Sequence, residues 1–327
     1  MAVSCGVEVA SAVQAVGIDV GYGVTKWVGP LGHGSAPSVW AAAGQDGAAW
    51  GMQGTRRLVV DGMAVCVGAE AEASPDAHRP FGDGRLADPE ALPLLGAAIW
   101  ATGCQGDIVL GSGMPLGRFA QEREESKAAL EGRVLRLGDG THEVRVRIAR
   151  LALRPQGVGA ALSLLARGLL SGDGLGCVID VGTRTTDVVT LDLGDGHPVM
   201  PLCWSSTVGL ATAGAALAAD AAREVGWSPP LDLCMAALGG RMARWHSRPL
   251  PSPAPYLDAL AAGVRADVRR HMGSAAGRVS AVALVGGGCV LLGERLHGIL
   301  GGDVVPLNAD EAVRANAEGY RVAAMGA

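Results

Sequence analysis

The chain has 327 residues, a formal net charge of −5, 49% hydrophobic and 4% aromatic residues, and 50 glycines. That length suits two lobes better than one core, and the glycine content argues against an all-helical protein. The acidic balance argues against a direct grip on nucleic acid, and no apolar run reaches the ~18 residues of a membrane span.

The N-terminal MAVSCGVEVASAVQAVG is mildly apolar but lacks a basic start and contains Glu8, so no signal peptide is expected. Next comes GIDVGYGVTK, Gly17 to Lys26. The apolar strand AVGIDV runs into Asp19, then a turn with Gly21 and Gly23, then a second strand, VTKWVG. Glycines let backbone N–H groups approach an anion, and successive N–H groups in a tight turn form an anion-binding hollow. A carboxylate at that lip does not welcome phosphate, unless a divalent cation sits between them, held through water. Lys26 reads either as facing such a site or as a solvated side chain on an alternating strand.

Further along, LALRPQGVGAALSLLARGLL reads as strand, then helix, with Val158, Leu162, Leu165 and Leu169 at helical spacing. Pro155 suits a first helical turn, which puts Gln156 near the positive end of the helix dipole; simple capping is the plainer alternative. Ser171-Gly172-Asp173-Gly174 marks a hand-over. IDVGTRTT, Ile179 to Thr186, then repeats the I-D-V-G-x-x-x-T of Ile18 to Thr25, again between apolar strands. One copy carries little weight, but two copies about half a chain apart point to a duplicated architecture. Facing each other, the two hairpins would clamp a polyphosphate and its magnesium, with Thr25, Thr185 and Thr186 as further donors. Asp187 reads as a local cap or partner, not as catalytic.

Ser206 to Gly226 forms an alanine-rich helix pattern. SRPLPSPAP, Ser247 to Pro255, is a proline-rich connector, read as a surface loop or as an assembly site. AVALVGGGC, Ala281 to Cys289, is a buried strand followed by Gly286, Gly287 and Gly288, against which a flat base can lie. Asn308 and Glu311 form a capping box for the last helix. The seven tryptophans are scattered and offer no stacking platform for single strands. The seven cysteines, Cys5, Cys66, Cys104, Cys177, Cys203, Cys234 and Cys289, are scattered without CxxC, and the histidines show no HxxxH. Neither a disulfide framework nor a zinc site is expected, and a reducing cytoplasm is the expected location.

In this order the elements resemble the actin-like ATPase superfamily of actin, sugar kinases and the large heat-shock chaperones. The likeness is closer to bacterial and archaeal actin-like proteins of the ParM/StbA type, and it covers nearly the whole chain. APSVWAA (Ala36 to Ala42), VCVGAEA (Val65 to Ala71), IVLGSGMPLGRF (Ile108 to Phe119) and LALRPQGVGAAL (Leu151 to Leu162) resemble further family segments. NADEAVRANAEGYRVAA (Asn308 to Ala324) resembles the family's N-x-x-G-Y C-terminal helix.

The resemblance implies an α/β fold: a duplicated actin-like (ribonuclease H-like) two-lobe fold with a nucleotide cleft. Lobe I would span residues 1–170, with a small insertion at about 31–95. Lobe II would span 171–327, with a small insertion at about 226–275, and the helix 308–327 would pack back on lobe I. Carried over residue by residue, Asp19, Gly21, Tyr22, Gly23, Thr25 and Lys26 match the first phosphate loop. Asp180, Gly182, Thr183, Arg184, Thr185 and Thr186 match the second, and Gly286, Gly287 and Gly288 match the adenosine motif. Asp19 and Asp180 would hold Mg2+ through water. Gln156 falls where relatives place a residue that orients the attacking water; it is no strong base, but it can accept and donate hydrogen bonds. Asp180 is then the polarising carboxylate. Thr183-Arg184 replaces small glycines of many relatives, and Arg184 reads equally as a phosphate ligand or a solvent-facing side chain.

The implied function is a magnesium-dependent ATPase, with GTP an open alternative to ATP. It would polymerise into filaments for plasmid segregation or cytoskeletal positioning, and a DNA-bound adaptor protein is a further partner. The alternatives are a sugar or small-molecule kinase or phosphatase of the same superfamily, and a nucleotide-dependent scaffold without turnover.

Overall fold

The computed structural model describes residues 13–43, 57–80, 82, 84, 86–241, 244–245 and 247–327. Residues 1–12, Cys5 among them, and part of the 31–95 insertion lie outside them. The first half of the chain forms strands β1 (Gln14–Val20), β2 (Val24–Gly29), β3 (Gly32–Pro37), β4 (Trp40–Ala42), β5 (Leu58–Val60), β6 (Met63–Val67), β7 (Gly106–Met114), β8 (Val134–Gly138) and β9 (Glu143–Pro155). They make one sheet in the order β3-β2-β1-β7-β9-β8-β5-β6-β4. Helices α1 (Ala69–Glu72), α2 (Leu92–Ala101), α3 (Phe119–Leu130) and α4 (Val158–Ala166) accompany it.

The second half forms β10 (Leu175–Val181), β11 (Thr186–Asp192), β12 (Trp204–Ser206), α5 (Leu210–Val225) and α6 (Leu231–Leu238). A short hairpin, β13 (Arg244–Trp245) and β14 (Arg248–Pro249), leads to α7 (Ala254–Met272), β15 (Val279–Val285), α8 (Gly286–Leu292), β16 (Asp303–Val304) and α9 (Ala309–Met325). The second sheet runs β12-β11-β10-β15-β16.

Both I-D-V-G motifs are hairpins, and the arrangement around them repeats. β1 pairs antiparallel with β2 and parallel with β7; β10 pairs antiparallel with β11 and parallel with β15. Strand alternation then sorts the motif's side chains. Val16, Ile18 and Val20 enter the first lobe's core beside Leu94 and Ile99 of α2. Cys177, Ile179 and Val181 enter the second lobe's core beside Leu217 of α5 and Leu260 of α7. Each fully buried aliphatic side chain contributes about 1.5–3 kcal/mol, so reversing either strand would bury the aspartates in apolar surroundings and expose this core.

The opposite faces of the two sheets meet a shared layer made by α4 and α9. There Val178, Val189 and Val285 pack on Ala160, Leu164 and Ala315. Asp19 and Asp180, on the alternate positions, point into that layer. α9 lies very close to the first sheet: a Cβ on Gly17 would come within 1.9 Å of the Ala317 carbonyl oxygen, and one on Gly111 within 1.9 Å of the Tyr320 carbonyl oxygen.

Three local expectations change. Pro155 closes β9 rather than opening a helix. Gln156 lies in the turn before α4, with its N–H bonded to the Met114 carbonyl at 2.8 Å. The alanine-rich helix starts at Leu210, because Trp204–Ser206 forms an edge strand on β11. α7, inside the span read as an insertion, packs Leu257, Leu260, Val264 and Val268 into the second core. The capping box forms as read: the Glu311 N–H donates to Asn308 Oδ1, and the Asn308 N–H donates to Glu311 Oε2, each at 2.9 Å.

Candidate active site

The turns of the two hairpins and the start of α8 enclose one cavity of about 100 Å³. Its wall holds Asp19, Gly21, Tyr22, Gly23 and Lys26 from the first hairpin, and Asp180, Gly182, Thr183, Arg184 and Thr185 from the second. Gln156, Gly286, Gly287 and Gly288 complete the residues expected there. The two turns touch: a Cβ on Gly23 would come within 2.6 Å of Thr183 Oγ1. The Arg184 guanidinium lies 4.7 Å from the centroid of the Tyr22 ring, a cation–π contact from one turn to the other.

The three glycines have different duties. Gly286 has φ +84°, and a Cβ there would meet Asp180 Oδ1 at 2.2 Å; one on Gly288 would meet Val181 Cγ1 at 2.5 Å. Both let α8 sit directly on β10. Gly287 meets nothing within 4 Å and presents bare backbone to the cavity. The second turn is held from behind by α5. The Leu210 and Ala211 N–H groups, orphan donors at that helix start, bond the Gly182 and Thr183 carbonyls at 3.1 and 2.8 Å.

Thr25 and Thr186 do not reach the cavity. They sit opposite Val20 and Val181 on the core-facing side of their hairpins. Thr25 Oγ1 lies 2.9 Å from Ser38 Oγ, and Thr186 Oγ1 donates to the Val208 carbonyl at 2.7 Å. Strand period, which puts neighbouring residues on opposite faces, is the reason. The same alternation brings Lys26 inward, where its Nζ lies 2.8 Å from Asp19 Oδ2, so the solvated reading of Lys26 falls away.

The register also makes Asp187 the cross-strand partner of Asp180, as Lys26 is of Asp19. The two hairpins therefore differ in charge: acid against base in the first, acid against acid in the second. Burial, with Asp19 nearby, pushes the Asp180 carboxyl up to about 6. Burial and the neighbouring Asp180 push Asp187 up to about 7. Asp187 is held by the Leu116 N–H at 2.9 Å and the Thr185 hydroxyl at 3.0 Å. It lines the cavity and ties the second turn to the first lobe, a wider role than a local cap. The signal was available: both acids have their partner seven positions on.

Asn316 of α9 is a site residue that the motif reading passed over, although it is the asparagine of N-x-x-G-Y. Its Nδ2 donates to Asp180 Oδ2 at 2.6 Å. Gln156 Nε2 reaches Asp19 Oδ1 at 3.3 Å. One α9 turn further on, Tyr320 is fully buried, and burial with three nearby carboxylates raises its hydroxyl well above the usual tyrosine range.

Residues 17–159 match the family described as actin like proteins N terminal domain, and residues 178–298 match the archaeal actin homologue MreB-like C-terminal family. An archaeal actin homolog of Thermoplasma acidophilum is 39% identical over 322 residues, 94% of this chain and 98% of that protein. The chain belongs to the actin-like proteins. A second homolog, from Thermoplasma volcanium, is 37% identical over the same shares. The crystal structure of Ta0583, an archaeal actin homolog, superposes with a TM-score of 0.83 at 37% identity, covering 96% of this chain and all of that one. The same homolog solved with ADP gives a TM-score of 0.80. A subunit of a 15-stranded ParM filament from Clostridium botulinum shares the fold at 18% identity, with a TM-score of 0.81, covering 96% of this chain and 99% of that one.

In this actin-like protein the acidic cavity suits a magnesium ion. Asp19 and Asp180 are 2% and 6% exposed, and Lys26 is the cation paired with one of them. Among the described residues no three ligating side chains converge closely enough to hold a metal by themselves. Among the described residues no helix is long and apolar enough to cross a membrane.

Proposed function

We propose that this chain binds and hydrolyses ATP and assembles into nucleotide-dependent filaments. The observation that carries the reading is the meeting of two copies of one acidic-tipped glycine turn at a single cavity. The ADP complex of a homolog 37% identical to this chain supports a nucleotide there. The backbones of Gly21 to Gly23 and Gly182 to Thr183, with the Thr185 hydroxyl, would hold the phosphates. Asp19 and Asp180 would hold magnesium through water, and Gly287 would face the nucleoside. Magnesium, when bound, supplies charge neutralisation on the phosphates; the chain's own part is positioning. Gln156 orients a water, Asp180 polarises it, and Arg184 leaves Tyr22 for the terminal phosphate.

The cavity is smaller than the ~300–1,000 Å³ of ordinary ligand pockets. Entry of a whole nucleotide therefore requires the lobes to part. Ion pairs reach between them, among them Arg79 to Asp232 at 3.1 Å and Arg241 to Glu72 at 3.9 Å. Closure on nucleotide would select the shape that adds head-to-tail to the next subunit, and such contacts give open filaments when they do not close into rings. The lobe boundary near residue 170, a cytoplasmic location and a DNA-bound adaptor linking the filament to a plasmid belong to the same proposal.

The test is phosphate release and pelleting by the purified chain with Mg-ATP, Mg-GTP, Mg-ADP or no nucleotide. Magnesium-dependent release with pelleting in ATP is expected. Failure of all three nucleotides to bind at millimolar concentration in calorimetry would overturn the reading. Turnover without pelleting would point to the kinase or phosphatase class, and pelleting without turnover to a scaffold.

A further inference from the structure

Asn316 is 5% exposed, and its two amide ends serve different lobes. Its Oδ1 accepts the Gly157 and Ala160 N–H groups, both at 3.0 Å, at the start of α4. Its Nδ2 donates to Asp180 on β10. Two N–H donors on one side fix which end of the amide is oxygen, since the flipped amide would set donor against donor. Gly157 directly follows Gln156, which itself reaches Asp19. A continuous chain thus runs from Asp19 through Gln156, Gly157 and Asn316 to Asp180, joining the acids of both hairpins through one α9 side chain.

α9 is itself fixed along its axis. The Tyr320 side chain fills a slot kept open by glycines on β7 and α4. A Cβ on Gly113 would come within 2.3 Å of the Tyr320 hydroxyl, and one on Gly159 within 2.4 Å of its ring. Sliding α9 by a residue would destroy this fit, so the helix is a rigid mount for the amide.

We infer that Asn316 is a positioning residue that sets the Asp180 carboxylate against Gln156 and couples it to α9. The inference rests on the ATPase reading above and assigns a further residue to that site. A purely structural role, capping α4, would use the oxygen alone; positioning uses the donor. The two are separable. Asn316→Asp keeps the oxygen for Gly157 and Ala160 and, once ionised at pH 9, sets a like charge against Asp180 in place of the donor. Asn316→Leu removes both at similar volume.

The experiment measures ADP affinity, single-turnover ATP hydrolysis, the melting temperature and amide exchange at Gly157 and Ala160 for the full chain and both variants. A crystal structure of the Asn316→Asp variant completes the set. At pH 9, Asn316→Asp is expected to keep slow exchange at both amides, although repulsion from Asp180 lowers its melting temperature. Its ADP affinity should stay within about threefold while hydrolysis falls tenfold or more, and Asp180 should turn from its wild-type position. Asn316→Leu should lose hydrolysis and also amide protection. Wild-type turnover in Asn316→Asp, or an unmoved Asp180, would overturn the inference. So would parallel loss of amide protection and ADP binding in both variants, which marks a cap alone. If the wild-type chain binds no nucleotide, the ATPase reading fails instead, while the Asp180 position in the variant still decides the geometric claim.

Discussion

Replacing Asp180 by asparagine should make the nucleotide-free protein more stable while abolishing turnover. A free aspartate titrates near ~3.9, whereas the folded protein raises Asp180 to about 6 through burial and the nearby Asp19. The folded state therefore disfavours the charged form. The contribution of Asp180 to stability is fully present below about pH 4, is lost as pH rises to about 6, and amounts to roughly 3 kcal/mol at ~1.36 kcal/mol per tenfold change. Asparagine does not titrate, and the introduced amide's oxygen can still accept from Asn316. At ~2–4 °C per kcal/mol, the variant should melt about 5–10 °C higher at pH 8. The gain should shrink through pH 6 and vanish near pH 4. The assay is thermal unfolding of nucleotide-free protein in a chelator, from pH 4 to 8, beside Mg-ATP hydrolysis at pH 8. A variant that melts below wild type at pH 8 would refute the claim that the site stores an uncompensated charge.

Gly286→Ala and Gly287→Ala should part company. The first combines a left-handed backbone with a methyl 2.2 Å from Asp180 Oδ1, and should cost about 2–5 kcal/mol in unfolding; the second should leave the melting temperature within a degree or two yet weaken ADP binding in calorimetry, because its methyl enters the cavity. Equal stability loss in both would contradict the assigned orientations. Arg79→Glu should speed release of a fluorescent ADP analogue by about 1.4- to fivefold in stopped flow, as expected for an exposed pair worth ~0.2–1 kcal/mol. Exchanging the charges, Arg79→Asp with Asp232→Arg, should restore the wild-type rate, and unchanged release in the single variant would remove the pair from cleft opening.

The hairpins were legible in the sequence because their information is local. The alternation I-D-V separates core from cleft, and the glycine turn is written in the same eight residues. The C-terminal capping box was local in the same way. Past the turn the same alternation puts Thr25 and Thr186 beside Val20 and Val181, on the core side of their hairpins. Pro155 is ambiguous in the sequence because a proline suits a strand end as well as a helix start. Asn316 was out of reach for a different reason: its partners lie 136 and 159 residues away in sequence. No periodicity within α9 distinguishes it from an ordinary buried polar residue. Only the close crossing of α9 over Gly17 and Gly111 turns its amide towards both lobes.

The two copies of the motif share a shape but not a charge, and on the proposed reading that difference sets what a bound cation would do. In the first hairpin Lys26 already neutralises Asp19, so that half can assemble without help. In the second, Asp180 faces Asp187 across the ladder, an arrangement that like charges make unfavourable. Asn316, Thr185 and the Leu116 N–H donate hydrogen bonds to the pair but bring no positive charge. A divalent ion arriving with phosphate would therefore relieve the second lobe far more than the first. Its binding should draw that lobe's turn inward onto a first lobe that is already electrostatically complete. On the proposed reading, the asymmetry would give nucleotide binding a direction, with the unrelieved charge on β10 and β11 and with Asn316 of α9 bonded directly to it.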